Sequence, residues 1–139
     1  MLRDLALLLL GSNGDLVAAA KLLRRVLAID EKHHGPDHPY VASGLICLAR
    51  VLGMLAEYAA AEPLYRRALA IIEKELGPEH PEVADALCNL ADVLKNQAKS
   101  AAAEPLCRRA LEIAAKHFEP EDPLVVHLKA RLAIMLGGG

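Results

Sequence analysis

Leu64-Tyr65-Arg66-Arg67-Ala68-Leu69-Ala70-Ile71 decides the fold, because the same phrase stands elsewhere at a fixed distance. Forty-two residues earlier the chain reads Leu22-Leu23-Arg24-Arg25-Val26-Leu27-Ala28-Ile29, and 42 residues later Leu106-Cys107-Arg108-Arg109-Ala110-Leu111-Glu112-Ile113. The segments between return in step: Gly35-Pro36-Asp37-His38-Pro39, Gly77-Pro78-Glu79-His80-Pro81 and Glu119-Pro120-Glu121-Asp122-Pro123, with no gap needed. A period of a few tens of residues marks a repeat architecture, in which each unit is one supersecondary element that buries its apolar face against its neighbours.

Working outward, each unit holds two helices. After Pro39, the apolar residues Val41, Leu45, Leu48, Ala49 and Leu52 fall at the spacing of one helical face. A second helix begins at about Tyr58, with Ala61, Leu64, Tyr65, Ala68, Leu69 and Ile72 on its stripe. Gly77 suits the left-handed residue that closes a helix, and Pro78 cannot continue one. His80 then falls at the N-cap and Pro81 at the first helical position, where a missing N–H costs nothing. Gly35 and Pro39 repeat this punctuation. The third copy has Glu119 for the glycine, so a less well formed turn is expected, but it gains Asp122, a better cap than histidine. Pro63 and Pro105 lie near the starts of second helices, where a bend is expected rather than a break. Ala49, Ala61 and Ala68, returning as Ala91, Ala103 and Ala110, allow close helix approach.

Composition agrees. Residues of the hydrophobic class make up 54% of the 139, yet aromatics only 3%, so Leu, Ala, Val and Ile must fill the core. A net charge of −2 argues against nucleic acid or an anionic membrane as partner. Cys47, Cys88 and Cys107 form no CxxC pair, and an odd count suits a reducing, cytoplasmic setting rather than a disulfide framework. The run Leu5 to Leu10 is too short for a signal segment or a membrane span, and Gly11-Ser12-Asn13-Gly14 ends it, which leaves a buried first helix from about Leu2.

Leu48-Ala49 with Ala61, Tyr65 and Ala68 resembles the tetratricopeptide pattern. The phrases Tyr58-Ala-Ala-Ala-Glu-Pro-Leu-Tyr-Arg-Arg-Ala-Leu-Ala-Ile and Leu76-Gly-Pro-Glu-His-Pro-Glu-Val-Ala resemble the longer repeats of kinesin light chains and related bacterial proteins. The resemblance covers about residues 15 to 136. It implies an all-α fold, a right-handed superhelical solenoid of antiparallel helix pairs with about seven helices. The expected organisation is one array over 1–136, with units of about 1–38, 39–80 and 81–122, a closing helix over 123–136 and a glycine tail at 137–139.

The resemblance also implies a function: non-enzymatic binding of a peptide or helical segment in a concave groove lined by the first helix of each unit. Carried over position by position, the lining is Ser43, Ile46, Cys47, Arg50 and Met54, then Asp85, Cys88, Asn89, Asp92 and Asn96, then His127, Ala130, Arg131 and Ile134. Family members often carry an Asn pair before Leu-Ala in this helix, able to bond a bound peptide backbone. Here only Asn89 remains, which suggests a less polar groove.

His33, His34, Asp37 and His38 crowd one loop, but His38 is the repeat's own loop residue and no cysteine lies nearby, so no metal site is expected. The Arg24-Arg25, Arg66-Arg67 and Arg108-Arg109 ladder could clamp an anion. Glu62 and Glu104, each four residues before an arginine, favour a solvated outer face. Cys47 and Cys88 stand at adjacent positions of equivalent helices and read as small apolar filler. No catalytic set and no cofactor motif is present. The terminal helices are apolar beyond their core stripes, which in the last helix are Leu124, Leu128 and Leu132, so the chain is expected to be a fragment or to self-associate through an end, with Leu7, Leu9, Ile134 and Met135 as the candidates. The alternative function is therefore a structural or self-assembling scaffold, in which regular alanines and a glycine tail would also fit an engineered chain.

Overall fold

A computed structural model describes residues 13–137, with side chains described over 15–134. The described residues form six helices: α1 (Asn13–His34), α2 (Pro39–Met54), α3 (Tyr58–Leu76), α4 (Pro81–Asn96), α5 (Ser100–His117) and α6 (Pro123–Gly137). The helix expected from about Leu2 lies outside them. The chain divides into two compact units, Met1–Ile71 and Ile72–Gly139. In the first, α1 packs on α2; in the second, α5 packs on both α4 and α6.

The repeat punctuation explains the helix ends. Gly35 and Gly77 take positive φ (88° and 95°), and their amides bond back to the Glu31 and Glu73 carbonyls at 2.9 and 3.0 Å. At the third copy no such turn forms. Phe118 is extended (φ −128°), its amide bonds Ala114 O, and α5 stops one residue short of the equivalent end of α3. Glutamate lacks the freedom that places glycine there. The turns inside each unit use a residue with no obvious signal: Ala56 and Ala98 sit at φ 61° and 62°. Around Ala98, the Lys99 amide reaches Leu94 O and the Ala98 amide reaches Lys95 O, the paired bonds of a Schellman closure with alanine in place of glycine. Both α3 and α5 run unbroken through Pro63 and Pro105.

The described core is wholly apolar, and the helical stripe of α2 is buried as expected: Val41, Leu45, Leu48, Ala49 and Leu52, joined by Ala42 and Val51. The periodicity in α6 put Leu124, Leu128 and Leu132 inward. In the structure Val125 and Leu128 are buried, while Leu124 and Leu132 are half-buried. The repeat itself points to Val125, since Val41 and Val83 occupy the same position and are fully buried. Lys129 replaces the buried Leu45 and Leu87, and it lies exposed.

Candidate functional site

In the second unit, α4 carries Asp85, Asn89, Asp92 and Asn96 along one helical face, since steps of four, three and four residues follow the helix turn. Asp85, Asp92 and Asn96 are exposed and Asn89 is half-buried. Cys88, expected to line the same face, is buried at 7% exposure, so it belongs mainly to the core. From α6, His127 and Ala130 are exposed, whereas the Arg131 side chain is 14% exposed.

Arg131 decides the electrostatics of this face. Its guanidinium donates to the Cys88 carbonyl at 3.3 Å and to the Asp92 carboxylate, so two candidate groove residues are bonded to each other. That leaves Asp85 without a cation among the described residues. Its carboxyl is pushed above the usual aspartate range, first by partial burial and then by the Glu82 carboxylate. Burial pushes the Cys88 thiol up to about 12, with Arg131 pulling weakly the other way, and raises Cys107 as well. Thiols held protonated in this way are poor nucleophiles and poor metal ligands. What the face offers is hydrogen bonding: a half-buried amide at Asn89, which makes no bond to the protein among the described residues, between the Asp85 carboxylate and a pinned guanidinium.

In the first unit, α2 presents Ser43, Ile46, Cys47, Arg50 and Met54 along one face. Ser43, Arg50 and Met54 are exposed, and Ile46 and Cys47 half-buried. Ile134 on α6 is 58% exposed, while Leu7, Leu9 and the Met135 side chain lie outside the described residues.

The arginine ladder divides by position. Arg66 and Arg108 bond Glu62 and Glu104 four residues earlier, as expected. The second arginines have a role the sequence reading did not foresee. Arg67 bonds Glu31 Oε1 (2.8 Å) and Pro36 O (3.1 Å), and Arg109 bonds Glu73 Oε1 (3.3 Å) and Pro78 O (3.2 Å). Each clasps the preceding copy at the same separation. The clue was available: Glu31 and Glu73 themselves recur 42 apart. Near the first loop, His34 stacks on His38 (centroids 4.5 Å), and Tyr40 stands edge-on to both. No group of three or more His, Cys, Asp or Glu among the described residues is placed to hold a metal ion.

Comparison with known proteins bears on this geometry. A tetratricopeptide repeat family model matches residues 1–73 and again 40–116. The chain belongs to the tetratricopeptide repeat family. Among solved structures, the nearly identical TPR-like repeats of a kinesin light chain-type protein from Podosopora anserina superpose with a TM-score of 0.87 at 27% identity, covering 96% of this chain and 63% of that one. A single-residue variant of that protein gives the same figures. BtubC from P. vanneervenii superposes at 0.82 with 23% identity, covering 89% of this chain and 50% of that one, a likeness of fold. This tetratricopeptide chain thus spans about 63% of the length of the Podosopora relative. No curated protein matches it. Helix pairs of this family generally serve as protein-interaction scaffolds. No described helix is long and apolar enough to cross a membrane.

Proposed function

We propose that this chain is a non-enzymatic, cytoplasmic protein-interaction module, kinesin-light-chain-like, that takes a peptide or helical segment along the face of α4 and α6. The observation that carries this reading is Asn89. Its half-buried amide makes no bond to the protein among the described residues, and it sits on a stripe whose other polar groups are either exposed or pinned. A half-buried amide with no partner inside the protein is free to bond a peptide backbone, and the partly shielded site makes that bond worth more than one in open water. The apolar core and the protonated Cys88 and Cys107 thiols suit a scaffold better than a catalyst. In the first unit taken by itself, Ser43, Arg50 and Met54 form the exposed part of the equivalent face on α2.

The test is a peptide-library selection on the purified chain beside Asn89→Ala, with thermal melts of both. Enrichment of one motif that Asn89→Ala loses without a change in melting supports the reading. No enrichment from a folded sample sinks it. A second reading, self-association through an end, is favoured by Val126 and Ile134, which stand 53% and 58% exposed on α6. Sedimentation from low to high micromolar concentration separates the two: a dimer weakened by Ile134→Ser favours assembly, a monomer throughout the groove.

A further inference from the structure

Helix α2 begins at a cap made by a histidine ring nitrogen: the Tyr40 amide donates to His38 Nδ1 at 3.0 Å. The same arrangement opens α4, where the Glu82 amide donates to His80 Nδ1 at 3.1 Å. Both histidines have the extended backbone of an N-cap residue, with φ,ψ of −76°,145° and −73°,142°. The equivalent position at α6 is filled by Asp122, whose Oδ1 accepts from the Leu124 amide at 2.9 Å. The three caps share position and geometry and differ in one property. An imidazole nitrogen accepts a hydrogen bond only while the ring is neutral, whereas a carboxylate accepts throughout the mildly acid range.

We propose that His38 and His80 make the starts of α2 and α4 acid-sensitive, so that the two helices carrying Ser43, Arg50, Asp85 and Asn89 loosen on mild acidification while α6 does not. Protonation turns Nδ1 from an acceptor into a donor that faces another donor. It also sets a positive charge at the positive end of the helix dipole, so the cap is lost and replaced by a repulsion. Each cap bond is therefore present while the ring is neutral and is lost once the ring nitrogen carries a proton.

The surroundings differ at the two caps. His38 has Asp37 beside it in the loop, the His34 ring of α1 stacked on it and Tyr40 edge-on. Arg67 of α3, paired with Glu31 of α1, holds the Pro36 carbonyl of that loop. Glu79 and Glu82 flank His80 in its own segment, and Glu73 of α3 pairs with Arg109. Arg109, Lys116 and His117 come from α5, with Lys116 paired to Glu79 and His117 bonded to its carbonyl. This proposal concerns fold and not ligand, so it stands whether or not the groove reading does.

The experiment compares the intact chain with His38→Asp/His80→Asp, which gives all three helices the cap α6 already has. Amide exchange, corrected for intrinsic rates, is read at Tyr40, Glu82 and Leu124 at pH 7.5 and 5.5, with melting temperature at each pH. The loss of protection expected at Tyr40 and Glu82 is about fivefold, the ordinary value of a cap, with Leu124 unchanged and the double variant flat at all three. Equal protection changes at all three amides, or the same fall in melting temperature in the double variant, would overturn it. Should that variant fold poorly, His80→Asp alone makes the same prediction at Glu82.

Discussion

Replacing Asp92 by alanine should cost more stability than replacing its partner Arg131 by methionine, although Asp92 is the more exposed of the two. Asp92 is 54% exposed and the Arg131 side chain 14%. In Asp92→Ala the guanidinium stays in its nearly closed seat with only the Cys88 carbonyl at 3.3 Å to satisfy it. Breaking a fully buried pair costs roughly 3–5 kcal/mol and an exposed one about 0–1. With one partner buried and the other half in water, a loss of about 2 kcal/mol is expected. In Arg131→Met the apolar stem still packs, the freed carboxylate is solvated and the bond to the Cys88 carbonyl that is lost is a long one at 3.3 Å, so the loss is about 1 kcal/mol, the ordinary net contribution of a hydrogen bond. Urea unfolding followed by far-ultraviolet circular dichroism gives both values from the shift in midpoint at constant slope. The reasoning fails if Arg131→Met costs as much as Asp92→Ala or more. It fails equally if Asp92→Ala costs as much in the Arg131→Met background as in the intact chain, since its effect would then not pass through Arg131. The same coupling makes Asn89→Ala the cleaner probe of binding.

Three further outcomes follow from the structure. Leu87→Lys imitates the third copy at a position that is 0% exposed in the second, and should lose at least about 3 kcal/mol in the same urea assay; Lys129→Leu, at the exposed equivalent, should change stability by under about 0.5 kcal/mol. Gly77→Ala should cost about 1 kcal/mol through its φ of 95° alone, since nothing lies within 4 Å of the added carbon, whereas Ala98→Gly, relieving a φ of 62°, should gain about 0.5 kcal/mol after the extra freedom of the unfolded chain is counted. Alkylation at pH 8 should reach half-buried Cys47 first, because a thiol pushed up to about 12 is almost wholly protonated there; mass spectrometry showing Cys88 modified at a comparable rate would contradict its burial.

Much of this molecule is local, and what is local was legible. The caps at His38, His80 and Asp122, the closing glycines and the pairs Glu62–Arg66 and Glu104–Arg108 join groups a few residues apart in chain, where helix geometry alone dictates who meets whom. The buried stripe of α2 was readable for the same reason. In α6 the helix spacing placed Leu128 inward correctly but missed Val125, because a helix that is apolar on several sides has no single preferred face; the repeat, which aligns Val125 with Val41 and Val83, carries the better information.

By itself, then, the sequence determined the repeat, the helices, their ends and the residues offered on their faces, since all of these follow from backbone chemistry and the 42-residue period. Only the tertiary structure decided what those offered groups do. Arg67 reaches back 36 residues to Glu31, Arg109 reaches equally far to Glu73, and Arg131 reaches 39 residues to Asp92, converting presumed surface and groove charges into clasps. Such pairs depend on how far apart and at what angle two helices lie, quantities set by side-chain packing over the whole unit. That same packing buries Cys88 and leaves Asn89 open, although the two are neighbours in the chain.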